Sequence, residues 1–156
     1  MKAVSIGLLV FLLTFYYSSA QNLVLPTEEL LKKYLNLSKE EIIKKCRDKD
    51  PCLVSKAEGL EKAKQEAGND LINHLVNEAK KLPSVTENDW NTLTQNNCIS
   101  NPFFIKSVEM TFVNGVACLS PGEIPSSDVA KKALKEYVDI FCSRVKEAAK
   151  KKFQSV

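Results

Sequence analysis

The sequence predicts an all-α fold, a compact bundle of five to six helices held together by two disulfides. Apolar residues recur at three- and four-residue spacing through most of the chain, which is the period of amphipathic helices. Five cysteines, at positions 46, 52, 98, 118 and 142, follow a segment with the features of an export signal. Cysteines that reach an oxidising compartment commonly pair, so four of the five can form two bridges.

Residues 1–20 have the three parts of a cleavable signal peptide. Lys2 provides a positive charge, residues 6–17 form an apolar run, and the Ser-Ser-Ala sequence at 18–20 provides small residues for cleavage before Gln21. The apolar run is shorter than the roughly 18 residues that a membrane span requires. We therefore expect a secreted, extracellular protein with no stable membrane insertion, whose residues 21–156 form a single helical domain.

The charge of the predicted mature chain argues against nucleic-acid binding. Removing Lys2 with the signal peptide leaves 21 basic and 19 acidic residues in a chain of 136 residues. The two signs alternate along the predicted helices, whereas a nucleic-acid site needs a clustered basic stripe. We expect no nucleic-acid partner.

Two short helices open the mature chain. Pro26, followed by two glutamates and a run of leucines, predicts a helix to Leu35. Ser38-Lys39-Glu40-Glu41 matches a capping box and predicts a second helix, which ends before Pro51 because proline disfavours helical geometry in the preceding residue. Between these helices, Asn36-Leu37-Ser38 is a glycosylation sequon, so Asn36 is an exposed candidate for modification.

Two further helices are predicted in the middle of the chain. The longest begins at Pro51 or Cys52 and runs to about Lys81 with amphipathic spacing. Gly59 and Gly68 interrupt it, and each marks either close helix packing or a kink. A capping-box match at Ser84-Val85-Thr86-Glu87 predicts the next helix, which extends to about Asn96.

Residues 98–123 admit two interpretations. The apolar run at 108–113, followed by Asn114-Gly115, fits a β-hairpin. The apolar residues of the same stretch also recur at helical spacing, which fits a helix from Pro102 to Asn114 that stops at a left-handed Gly115. We favour the helix, because a hairpin among helical neighbours would have no sheet to join.

The C-terminal segment predicts one long helix. Ser126 or Ser127 caps it, and it reaches about Phe153. Its apolar face includes Tyr137 and Phe141, and the basic residues at its end interact favourably with the helix dipole.

The predicted helices suggest a pairing for the cysteines. If the helices that start near Cys52 and end near Cys98 are antiparallel, these two cysteines lie at the same end of the bundle and can form one bridge. Cys118 and Cys142 are then left to form the second. Cys46 becomes the free thiol, which is either buried or available to link two chains into a dimer. Cys46 could also replace Cys52, since only six residues separate them.

The sequence contains no pattern that predicts catalysis or metal binding. The nucleophile elbow GxSxG, the zinc motif HExxH, the phosphate-binding loop and CxxC are all absent. The one histidine, His74, lies among leucines of the longest predicted helix without an associated nucleophile. We expect neither an enzyme nor a cofactor or metal site.

The aromatic residues supply the functional hypothesis. In a bundle of this size they fill the core, or they line a cavity for an apolar ligand, as in small secreted helical carriers. The candidates for such a cavity are Tyr34, Trp90, Phe104, Phe112, Tyr137 and Phe141. We therefore expect a carrier of a small hydrophobic ligand. The alternative is a secreted effector, of salivary, venom or defence type, that binds an extracellular protein or other macromolecule through its surface.

A structure distinguishes these two hypotheses. A cavity of several hundred cubic ångströms lined by at least three helices would favour the carrier. A solid core beneath an exposed apolar patch would favour the effector.

Overall fold

The computed structural model describes residues 23–116 and 118–156, except for the side chains of Phe103, Val108 and residues 111–115. The predicted signal peptide at 1–20 lies outside the described residues. Within the described ranges every regular element is a helix, which confirms the all-α prediction.

Six α-helices follow one another along these ranges. They are α1 (Thr27–Leu35), α2 (Lys39–Lys49), α3 (Pro51–Ala79), α4 (Glu87–Thr94), α5 (Pro102–Val116) and α6 (Ser127–Gln154). A π-helical turn, Gln95–Ile99, continues α4, and a short 3₁₀ helix, Pro121–Glu123, precedes α6. The longest pair, α3 and α6, pack against each other, and α5 packs against both.

The first helix boundaries follow the local sequence signals. Ser38 Oγ accepts a hydrogen bond from the Glu41 amide at 3.2 Å, and the Glu41 carboxylate accepts one from the Ser38 amide at 2.6 Å, which forms the predicted capping box. Asp50 caps α3, whose first residue is Pro51. Proline is favoured at that position because its missing N–H would have no intrahelical partner there.

The capping box of α4 lies two residues later than predicted. The amide of Asp89 donates to Thr86 Oγ1 at 3.3 Å, and the Thr86 amide donates to the Asp89 carboxylate at 2.8 Å. Glu87, which was expected to close a box with Ser84, instead binds lysines of α6. The pairs Ser84–Glu87 and Thr86–Asp89 both have the spacing of a capping box. The ion pairs of Glu87 with α6 favour the box formed by Thr86 and Asp89.

Residues 102–116 form a helix, as favoured, but Gly115 does not end it. The helix continues through Gly115 to Val116. Its first turns pack into the bundle: Phe104 is buried, and its ring stacks on that of Phe141 with centroids 4.3 Å apart. Val116, the last residue of the helix, is also buried, so burial of its side chain stabilises the helix beyond its local stop signal.

The main core lies where the C-terminal part of α3 meets α4, α5 and α6. Its central members are Leu71, Leu75, Ala79, Trp90, Phe104, Tyr137, Phe141 and Val145. The Cys98–Cys142 disulfide, with Cα atoms 5.8 Å apart, lies within this core and links the π-helical turn to α6.

A second, smaller apolar cluster forms at the other end of the bundle. It comprises Leu31, Ile42, Cys46, Val54, Val116, Cys118 and Leu119. The Cys46–Cys118 disulfide, with Cα atoms 5.1 Å apart, lies in this cluster and links α2 to the segment after α5. Each of the two apolar clusters thus contains one disulfide.

These bridges correct the predicted pairing. Cys52 was expected to pair with Cys98, and Cys118 with Cys142, but Cys46 pairs with Cys118 and Cys98 with Cys142. The free thiol is therefore Cys52, which is exposed, and not Cys46.

Helix length explains the error. The 29 residues of α3 span about 43 Å, whereas α4 and its π-helical turn together extend only about 20 Å. Since α4 starts near the end of α3, Cys98 cannot reach back to Cys52 in the first turn of α3. Cys46, in the last turn of α2, faces the interior and pairs with Cys118.

The two glycines of α3 have different environments. A Cβ on Gly68 would lie 2.6 Å from Leu23 Cδ2 and 2.9 Å from Phe141 Cζ, so glycine permits close packing at this position. A Cβ on Gly59 would meet nothing within 4 Å. Gly68 is therefore a packing position, whereas no close contact requires Gly59.

Candidate functional site

An apolar cavity of about 210 Å³ lies between four helices. It is bounded by α1, α2, the N-terminal half of α3 and the N-terminal half of α6. Its apolar wall is formed by Leu30, Leu31, Ile42, Ile43, Ala57, Ala133 and Leu134. Most of the lining surface is carbon, so the cavity suits an apolar occupant.

The sequence of α3 explains why this space is not filled. The inward positions of its C-terminal part carry Leu71 and Leu75, which pack in the main core. Traced back at the same spacing, the inward positions carry Gly68, Lys64, Glu61 and Ala57, which are small or charged. Opposite them, α6 presents Ala133. The small side chains of Ala57 and Ala133 leave the gap between the helices partly unfilled, and a cavity remains.

Four polar side chains meet at one side of the cavity, and we call them the polar cluster: Thr27, Glu61, Lys64 and Tyr137. Lys64 is 1% exposed, and its Nζ lies 2.5 Å from Glu61 Oε1 and 3.3 Å from the Tyr137 hydroxyl. The same Nζ lies 4.8 Å from the centroid of the Tyr137 ring. Thr27 Oγ1 also donates to Glu61 Oε1, at 3.4 Å. The cluster joins α1, α3 and α6.

Burial determines the electrostatics of this cluster. Loss of water lowers the pKa of the Lys64 ammonium, and the negative charge of Glu61 opposes that change. Burial also raises the pKa of the Tyr137 hydroxyl, and Glu61 raises it further. Tyr137 is therefore a neutral phenol at physiological pH, and the charges of the cluster are those of Lys64 and Glu61.

The second carboxylate oxygen of Glu61 differs from the first. Oε2 is buried and has no hydrogen-bond partner among the residues that the structure describes. A buried acceptor without a partner costs free energy, because it has lost its water and gained nothing in exchange. The polar cluster thus contains one shielded acceptor without a partner, on a residue that also lines the cavity.

The structure separates the predicted aromatic candidates. Tyr137 lines the cavity. Trp90, Phe104 and Phe141 are buried in the main core, where Phe104 stacks on Phe141. The bulky aromatic residues of this group therefore fill the core, and the cavity is lined chiefly by aliphatic side chains.

The two remaining aromatic candidates lie on α1 and α5. Tyr34 is half-buried on α1, and its hydroxyl donates to the Glu136 carboxylate of α6, which also binds Lys33 at 2.6 Å. These two partners lower the pKa of the Glu136 carboxyl. Tyr34 thus holds α1, one wall of the cavity, against α6. The side chain of Phe112 lies outside the described residues.

Sequence reasoning did not identify Glu61 or Lys64. A signal for them was present, because both continue the inward spacing of Leu75, Leu71 and Gly68 toward the start of α3. Charged residues on the inward side of an amphipathic helix are unusual, since burial of a charge requires a partner. Reading that spacing through the whole helix would have placed both residues inside.

Two other predicted residues lie away from the cavity. Asn36 is exposed in the turn between α1 and α2, with a left-handed backbone (φ 55°), as its position in the sequon suggested. Its glycosylation stays a prediction. His74 is exposed on α3, and its Nε2 lies 3.1 Å from Asn97 Oδ1.

Over residues 23–116 and 118–156, no group of three histidine, cysteine, aspartate or glutamate side chains is arranged to hold a metal ion. No helix in those ranges is both long enough and apolar enough to cross a membrane. Comparison with models of protein families, with curated proteins and with solved structures finds no match.

Proposed function

We propose that this chain is a secreted α-helical binding protein that carries a small hydrophobic ligand in the cavity between α1, α2, α3 and α6. The apolar cavity lined by four helices is the single observation that carries the proposal. The function is one of binding, without a catalysed reaction.

The cavity is partly open to solvent, and its apolar wall lacks packing partners on the side that faces it. Protein interiors are close-packed, with few voids larger than a water molecule, because a void forfeits dispersion contacts on the side that it faces. An apolar cavity of about 150 Å³ in another protein stays dry and binds benzene. An occupant would therefore restore contacts that the apolar wall of this cavity lacks.

The volume limits the size of the ligand. In proportion to benzene, 210 Å³ accommodates about eight or nine non-hydrogen atoms. This is smaller than the several hundred cubic ångströms expected for a carrier and smaller than pockets for drug-sized molecules, roughly 300 to 1,000 Å³. The cavity is partly open to solvent, so this volume limits the enclosed part of the ligand, which has the size of a medium-chain or small cyclic compound.

Two features support export of the protein. Disulfides are stable in oxidising compartments, and the structure holds two of them, each in an apolar cluster. The signal-peptide pattern at residues 1–20 supports the same conclusion. Dimerisation through the odd cysteine stays a prediction, and the cysteine concerned is now the exposed Cys52.

The effector alternative has less support. Among the side chains that the structure describes, the large exposed apolar residues are Val24, Leu82, Met110, Ile124 and Val156. They belong to five separate segments of the chain. The cavity is a more specific feature than these residues, since exposed apolar residues are normal on protein surfaces.

A titration with 1-octanol, which has nine non-hydrogen atoms, tests the carrier function. We expect saturable binding by calorimetry, with NMR shift changes concentrated at Leu30, Ile42 and Ala133. Ala57→Phe places a ring in the cavity and should abolish binding. Ala63→Phe makes the same change at an exposed site of α3 and should leave it intact.

Two results would contradict the carrier function. One is the absence of saturable binding by the natural protein to 1-octanol and to other apolar compounds of this size. The other is binding that survives Ala57→Phe, which would place the ligand outside the cavity.

A further inference from the structure

The Glu61 carboxylate is satisfied on one side only. Lys64 Nζ and Thr27 Oγ1 both approach Oε1, at 2.5 and 3.4 Å. Oε2 is buried without a partner among the described residues. The side chain of Glu61 is only 14% exposed, so bulk water does not compensate for the missing bond.

A ligand in the cavity can complete this carboxylate. Glu61 lines the cavity, although its Oε2 is shielded from it. Rotation about the last side-chain bond is soft, so the carboxylate can turn to present an oxygen to an occupant. An ionised carboxylate accepts hydrogen bonds and donates none. The matching group on the ligand is therefore a hydrogen-bond donor.

The charges around the cavity determine which donor fits. Lys39 and Lys64 on the lining are balanced by Glu58 and Glu61. A ligand carboxylate would bring another negative charge beside Glu61, and a ligand ammonium would bring another positive charge beside Lys64. Either ion would also lose its water on entering an apolar cavity. A neutral donor avoids both costs.

We propose that the ligand is a small neutral alcohol, whose hydroxyl donates a hydrogen bond to Glu61 while its hydrocarbon part lies against the apolar wall of the cavity. This inference rests on the proposed carrier function and names the chemical class of the ligand. Tyr137, held neutral by its environment and already bonded to Lys64, closes the polar side of the cavity.

Four ligands of equal chain length test this inference on the natural protein. They are 1-octanol, 2-octanone, octanoate and octylammonium, compared by calorimetry at pH 7. We expect 1-octanol to bind roughly tenfold tighter than each of the others, the advantage of one hydrogen bond to a charged acceptor. The ketone is the closest control, because it has similar volume and polarity and lacks the donor.

A variant tests whether Glu61 recognises the hydroxyl group of the ligand. Glu61→Gln keeps the shape of the side chain and replaces one acceptor oxygen with a donor, so the preference for 1-octanol over 2-octanone should fall to roughly twofold or reverse. Glu66→Gln makes the same change at an exposed site of α3 and should leave the preference unchanged. If Glu61→Gln fails to fold, the ligand series on the natural protein still decides the matter.

The results distinguish this inference from the carrier function. Equal affinity for alcohol and ketone would show that Glu61 does not select the ligand, and tightest binding of octanoate or octylammonium would show that the ligand is an ion. Either result overturns the inference and leaves the carrier function standing. Failure of all four ligands to bind would overturn both.

Discussion

The two halves of α3 differ in how they are packed. The C-terminal half, residues 68–79, buries Leu71, Ile72, Leu75, Val76 and Ala79, and we call it the packed half. The N-terminal half, residues 51–67, buries only Val54 and Lys64, and we call it the open half. Both halves belong to one continuous helix with one amphipathic period.

The difference lies in the side chains at the inward positions. Leucine at these positions in the packed half fills the space between α3 and α6. In the open half the same positions carry Ala57, Glu61 and Lys64, and a cavity takes the place of a core. Stability and the proposed binding function are therefore assigned to different halves of one helix.

Truncation of a leucine in the packed half and of a leucine in the cavity wall should show the largest difference. Leu75→Ala in the packed half should lower the free energy of unfolding by about 4 kcal/mol, because Leu75 is 0% exposed and surrounded by core atoms. Leu30→Ala on α1 should cost only about 2 kcal/mol, because one side of Leu30 faces the cavity and has fewer contacts to lose. Urea unfolding followed by circular dichroism measures both losses, and equal values would contradict the distinction.

Breaking the buried ion pair of the open half should have the next largest effect. Lys64→Met leaves the Glu61 carboxylate buried without its partner, and we expect a loss of about 3 kcal/mol. The double variant Lys64→Met with Glu61→Leu removes both charges and should recover most of that loss. Thermal and urea unfolding of the natural protein and the two variants tests this. A Lys64→Met variant as stable as the natural protein would show that water replaces Lys64 as the partner of the Glu61 carboxylate.

Alanine at the two glycines of α3 should act in opposite directions. Gly68→Ala should destabilise by about 2 kcal/mol, since its Cβ would overlap Leu23 and Phe141. Gly59→Ala in the open half should stabilise by up to about 1 kcal/mol, because it has free space and alanine is the better helix former. The melting temperature should therefore fall for Gly68→Ala and rise for Gly59→Ala. A rise for Gly68→Ala would contradict the close packing of Leu23 and Phe141 on Gly68.

The smallest expected effect is a pH dependence beside the packed half. Glu87 binds Lys146 and Lys150 at 2.9 and 2.6 Å, and these lysines lower the pKa of its carboxyl below its ordinary value of 4.5. A lowered pKa means that the ionised form stabilises the fold above about pH 4.5 and that this contribution disappears as the pH falls through the lowered value.

Glu87→Gln tests this pH dependence. The variant should be less stable than the natural protein near pH 7 and equally stable at low pH. The difference between their free energies of unfolding should therefore shrink as the pH falls. Salt at about 1 M should shrink the difference near pH 7, because it screens exposed ion pairs. A constant difference across the acid range would show that the carboxylate is not the origin.

Local signals in the sequence were sufficient to predict most of the helices. The capping box at Ser38, Pro51 at the start of α3 and the Ser126 cap of α6 all act within one helical turn, so they are readable without tertiary context. The predictions were wrong where local signals compete with each other or with packing. Thr86, and not Ser84, caps α4, and packing extends α5 past the end predicted at Gly115.

The sequence by itself determined the all-α class, the approximate helix boundaries and the presence of a cysteine left without a bridge. Only the tertiary structure decided that this cysteine is Cys52, that Lys64 meets Tyr137 of α6, and that the space beside them is a cavity. Helix formation depends on neighbours within about four residues, which the sequence displays directly. Disulfide partners and voids depend on the lengths and side-chain volumes of helices that meet from distant parts of the chain, and those are settled only when the helices pack.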